Sequence, residues 1–275
     1  MDVLSFGFGG RLLRQAAYAR AAAIEIVTLT GHVLRYPTGI FQERIAQSIA
    51  SGGDGTQRTP RIPIAGLGHP PVLLLHGFVD NRSVFAPLSR SLRQHGWTHV
   101  QALNYSPLTC DIRTAAALLS RHVERICEQS GHRHVDIISH SLGGLIARYY
   151  VQRLRGDVRV RTLVTLGTPH SGTTAVPLLN PHPIVRQMRP GSDLMDELTE
   201  PAPHCLTRFV AFWSDLDEMM IPVETARLDH PDLIKENVHI SGMGHLTMPA
   251  HSSIAAGIRQ ALVGEPPTPG AADAA

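Results

Sequence analysis

The chain has 275 residues, more than the roughly 100–200 usual for one domain, yet within reach of a single α/β domain with excursions. A domain of that size removes about three quarters of its unfolded surface from water, so it needs no disulfide or metal staple; a hydrophobic content of 43% suits that. With 25 Lys+Arg against 23 Asp+Glu the net charge is only +2, which argues against a nucleic-acid binder that neutralises many phosphates. Three scattered cysteines, Cys110, Cys127 and Cys205, form no CxxC pair and read as buried thiols, with a Cys110–Cys127 bridge left open.

Residues 1–60 are expected to form an N-terminal helical extension and linker. Arg11, Arg14 and Arg20 precede the apolar run Ala21–Leu34 in the manner of a targeting peptide. Glu25 interrupts that run, which is too short to span a bilayer, and no small-residue cleavage site follows. Leu12, Leu13, Ala16, Ala17, Ala21, Ile24 and Leu29 fall roughly at helical spacing, as in an amphipathic helix packed on the body. Contact of that helix with a membrane surface or lipid interface is the alternative. The expected location is cytoplasmic or peripherally membrane-associated, with secretion left open.

A catalytic domain is expected over 61–263, after the Gly- and Pro-rich stretches 51–55 and 60–71. Its pattern alternates: strand 72–75, helix 83–94, strand 98–103, helix 114–129 with Leu118, Leu119, Val123 and Ile126 on one face, strand 135–139, helix 142–154 and strand 162–166. A Pro-rich, apolar insertion, 173–205, breaks the rhythm, which resumes with strands 208–213 and 237–241 and a helix 249–262. Residues 264–275 read as a disordered tail. Strand–helix–strand units of this length imply an α/β fold with a mostly parallel sheet and helices on both faces.

The chemistry concentrates at Val135-Asp136-Ile137-Ile138-Ser139-His140-Ser141-Leu142-Gly143-Gly144, where an apolar strand runs into Ser141 and an apolar helix leaves at once. Such a nucleophile elbow lifts the serine hydroxyl above the sheet and aims the next amide, that of Leu142, at the same point. Neighbours two away must be small; Ser139 stands where the G-x-S-x-G pattern has its first glycine. A serine hydroxyl needs a general base and a group to orient it, which in this topology follow in the order acid, then His. After strand 208–213 come three carboxylates, Asp215, Asp217 and Glu218. His245, in the flexible loop Ser241-Gly242-Met243-Gly244-His245, is favoured as base over His239 in a strand and His251 at a helix start. The loop after the first strand, Leu75-His76-Gly77-Phe78, offers the Phe78 amide as second oxyanion donor beside Leu142. No H-E-x-x-H or similar ligand spacing is present, so no metal or other cofactor is indicated.

These motifs, with Leu166-Gly167-Thr168-Pro169-His170-Ser171-Gly172-Thr173 and Gly244-His245, resemble those of α/β-hydrolase lipases and esterases of the bacterial triacylglycerol lipase type, from about Pro71 to Leu262. The resemblance implies the α/β-hydrolase fold and cofactor-free cleavage of small-molecule or lipid carboxylic esters through an acyl-serine. It selects Asp217, just before Met219–Ile221 and Pro222, as the acid, with Asp215 and Glu218 as fallbacks. It implies that the 173–205 insertion is lid- or cap-like, its Leu, Ile and Met residues walling an acyl site; a surface excursion with its own apolar cluster is the alternative. His76, Gly77, His140, His170 and Met188 are the expected substrate-binding residues, His170 being structural or pocket-lining rather than basic. An acyltransferase, thioesterase or polyester depolymerase would use the same triad, and a hydrolase-like binding protein would show a damaged one.

Overall fold

A computed structural model describes residues 68–78, 82–104, 111–175 and 182–264. The expected N-terminal helix, Cys110, Leu178, Leu179 and nearly all of the expected tail lie outside them. Among the described residues six strands form one fully parallel sheet: β1 (Val72–Leu75), β2 (Val100–Leu103), β3 (Val135–His140), β4 (Val160–Leu166), β5 (Arg208–Ser214) and β6 (Ile234–Ile240). The helices are α1 (Ala86–Gln94), α2 (Ile112–Ser130), α3 (Leu142–Arg153), α4 (Pro183–Gln187), α5 (Asp193–Thr199) and α6 (Ser252–Val263). Strand order is β2-β1-β3-β4-β5-β6, so the direction of winding reverses between β1 and β3. In open parallel sheets, ligands bind outside the carboxyl ends of the strands at that reversal. There β1 leads into His76–Phe78 and β3 into Ser141.

Every residue of β1 and β3 is buried, as befits strands covered on both faces. Alternation sorts them: Leu73, Leu75 and Ile137 join α2 and α3 in one core, while Val72, Leu74 and Ile138 join α1 and α6 in the other. Leu118, expected on the inner face of α2, is exposed; Ile112, Ala115, Leu119, Val123 and Ile126 form that face. Asp111 caps the helix, its carboxylate accepting from the Thr114 amide at 2.7 Å. Cys127 and Cys205 are free and buried, and burial raises both thiol pKa values. Among the described residues no helix is long and apolar enough to cross a membrane.

Candidate active site

Ser141 sits between β3 and α3 with φ 53 and ψ −123, a backbone conformation that is strained for any residue bearing a side chain. Although Ser141 occupies the N-cap of α3, its side chain makes no capping hydrogen bond. The half-buried hydroxyl thus lies at the positive end of the helix without serving it. Close packing enforces the turn. A methyl on Gly143 would stand 2.6 Å from the Leu75 carbonyl oxygen and 2.7 Å from that of His76, so the elbow lies directly against the end of β1. Ser139 fits where a glycine is usual because its hydroxyl turns aside and donates to the Val164 carbonyl of β4 at 3.1 Å.

The expected acid and base arrive on two later loops. His245 Nδ1 lies 3.0 Å from both Oδ1 and Oδ2 of Asp217, and both side chains are buried. The Asp217 carboxylate also accepts from the Met219 amide at 3.0 Å, which fixes its plane. Asp215 faces elsewhere: it accepts from the Gly242 amide at 2.9 Å and the Ser241 hydroxyl at 3.2 Å, tying the acid loop to the base loop. Ser214 adds a second tie through its hydroxyl, which donates to the Met243 carbonyl at 2.5 Å and accepts from the Leu216 amide at 3.2 Å. His239 lies in β6, and His251 is the N-cap of α6, where its ring accepts from the Ser253 amide.

The expected substrate-binding set is only partly brought to this site. His76, Gly77 and the half-buried Phe78 follow β1 beside the elbow; His76 Nδ1 hydrogen-bonds the Gly77 carbonyl at 2.8 Å, and Phe78 meets His182 of the insertion edge-on, ring centroids 6.1 Å apart. His140 is fully buried beside His245: its Nε2 bonds the His245 carbonyl at 3.1 Å, and the two rings lie 4.6 Å apart. His170, expected to be structural or pocket-lining, lies in the core with its Nε2 3.0 Å from Thr165 Oγ1, and burial, helped by nearby Arg148, pushes its pKa well below the usual imidazole value. Met188 packs into the core on the α2 and α3 face of the sheet, with Ile184, Val185, Leu194, Met195 and Leu198. These described apolar residues of the insertion are all buried.

Arg148 of α3 anchors that packing. It is buried and donates only to neutral acceptors: Gln152 Oε1 at 2.6 Å, the His170 carbonyl at 2.8 Å and the Leu198 carbonyl at 2.9 Å. Burial, with a smaller push from Arg153, lowers its pKa to about 9. Glu197 of α5 accepts from the Tyr149 hydroxyl at 2.7 Å and from Arg113 Nε at 3.0 Å, and that Arg113 bond holds its carboxyl below the usual range. No group of three or more His, Cys, Asp or Glu among the described residues is arranged to hold a metal ion.

Residues 71–202 match the palmitoyl protein thioesterase family profile. Solved structures with the same fold include lipase B of Aspergillus fumigatus, at 17% identity and a TM-score of 0.61, covering 75% of this chain and 56% of that one. The mature lipase BlEst2 of Bacillus licheniformis matches at 15% identity and TM-score 0.59, over 76% of this chain and 96% of its own. A monoacylglycerol lipase of Paleococcus ferrophilus matches at 16% and 0.53, over 71% and 95%. At these identities the likenesses establish the fold.

Proposed function

We propose, from the premise that the chain is an α/β-hydrolase, that it cleaves carboxylic esters of lipids through an acyl-serine intermediate. The observation that carries this reading is the buried Asp217–His245 pair, packed on the residue that precedes the strained Ser141 turn. His245 takes the proton of the Ser141 hydroxyl as its oxygen attacks the ester carbonyl, and Asp217 orients the ring and stabilises its cation. The Leu142 amide, at the first turn of α3, and the Phe78 amide hold the resulting oxyanion. His245 then returns the proton to the departing alcohol, and water, activated by the same imidazole, releases the acid and restores Ser141. The exposed Met219 and Ile221 flank the acid turn and suit an apolar acyl substrate.

A second reading, thioester cleavage by the same residues, is favoured by the thioesterase family match. The deciding experiment is hydrolysis of p-nitrophenyl esters from short to long acyl chains beside acyl thioesters of matched length, with Ser141→Ala run in parallel. Activity rising toward long-chain oxygen esters and lost in the variant supports the first reading. A strong preference for thioesters supports the second, and full activity in Ser141→Ala removes both.

A further inference from the structure

We propose that the turn Leu166–Thr168, at the end of β4, is the positioning element that fixes nucleophile, acid and base relative to one another. This rests on the roles of Ser141, Asp217 and His245 given above. The turn touches all three. The Leu166 carbonyl accepts from the Ser141 amide at 2.9 Å, and the Thr168 hydroxyl donates to the Ser141 carbonyl at 3.0 Å. The Ser141 peptide is thereby gripped on both sides while its side chain stays uncommitted. The Thr168 hydroxyl reaches that carbonyl only because Gly144 is bare: a methyl on Gly144 would stand 1.9 Å from Thr168 Oγ1.

Gly167, the middle residue, backs onto the other two groups. A methyl there would stand 2.7 Å from Asp217 Oδ2 and 3.0 Å from His245 Nδ1. Its amide donates to the Phe212 carbonyl of β5 at 3.0 Å, so the turn has no freedom to retreat. With φ at +51, Gly167 also holds a left-handed conformation that glycine adopts without strain. The missing side chain is therefore what lets the acid and base close on each other behind the elbow. Both Gly167 and Thr168 are buried and act through the three catalytic groups rather than on substrate.

The test measures the rate of covalent labelling by a fluorophosphonate, together with kcat and KM on a short p-nitrophenyl ester and the melting temperature. Proteins compared are wild type, Ser141→Ala, Gly167→Ala, Thr168→Val, Thr168→Ser and Gly96→Ala. Gly96 also has a left-handed φ, +99, but a methyl on it meets nothing closer than 3.8 Å, and it lies far from the site on the α1–β2 turn. Gly167→Ala is expected to slow labelling and kcat roughly a hundredfold with KM unchanged, since a displacement of about 1 Å costs that much. Gly96→Ala is expected to keep wild-type labelling, kcat and KM while its left-handed φ lowers the melting temperature, which separates backbone strain alone from loss of positioning. Thr168→Val is expected to lose roughly tenfold, the worth of one hydrogen bond, and Thr168→Ser to restore it. Wild-type labelling rates in both Gly167→Ala and Thr168→Val overturn the proposal, as does a loss confined to KM. Should Gly167→Ala fail to fold, the Thr168→Val and Thr168→Ser pair decides alone. Wild type that does not label, or Ser141→Ala that does, defeats the assignment of the nucleophile itself and is thereby distinguished from failure of the turn.

Discussion

Two aspartates two positions apart, Asp215 and Asp217, have the same side chain and different work. Asp217 meets the imidazole of His245, while Asp215 accepts from Ser241 and Gly242 and fastens one loop to another. Asp217→Asn is expected to lower kcat about ten-thousand-fold by spoiling the tautomer and the cation's partner. Asp215→Asn keeps one acceptor oxygen for the Gly242 amide and is expected to lose less than roughly tenfold. Steady-state kinetics on the two variants separate them, and the reverse ranking would make Asp215 the acid. At this scale the strongest signals in the sequence were the serine between strand and helix and the histidine after the last strand, because the topology constrains their order. The partners of His140 and His170 were not legible: an imidazole next to a motif gives the same text whatever it bonds, here the His245 carbonyl and the Thr165 hydroxyl. Gly167 carries no side chain to notice, and only the closeness of Asp217 and His245 reveals its part.

Strands β1, β3 and β4 were legible because parallel strands covered on both faces are mostly apolar runs bounded by turns. The insertion was harder. Apolar side chains that fill a core and those that line an acyl channel have the same composition, so the packing of Ile184, Val185, Met188, Leu194, Met195 and Leu198 beside α2 and α3 could not be read from it. Helix α5 is bound to the body through Arg148 to the Leu198 carbonyl and Glu197 to Tyr149 and Arg113, and the segment after it through the Ala202 amide, which donates to Asp232 at 2.8 Å. Arg148→Lys is expected to destabilise the fold by about 2–4 kcal/mol in urea unfolding. An ammonium cannot meet three acceptors set for a planar fork, and each buried acceptor left unmet costs about 1–3 kcal/mol.

For the whole molecule, acid is a specific hazard. His170 is held neutral by burial, with its pKa well below the ordinary value near 6.5. Above that value neither the folded nor the unfolded imidazole is protonated, and the fold keeps its full stability. As pH falls through about 6.5 the unfolded chain binds a proton that the folded chain refuses, so stability declines by up to about 1.4 kcal/mol per pH unit from this group. His170→Gln, which keeps a partner for Thr165, is expected to flatten the acid limb of a plot of unfolding free energy against pH below about 6.5; an unchanged slope would assign that limb to other groups. The strand order has one more effect, on the time course of folding. His140, beside the nucleophile, and His245 are 105 positions apart, and β4, β5 and β6 must all be laid down before the base loop has a floor. Contacts that distant form late, after the entropy of closing the intervening chain has been overcome. With the proposed roles of Ser141 and His245, a chain emerging from synthesis is expected to stay unreactive toward an acylating probe until β6 has docked, so that reaction times the completion of the sheet.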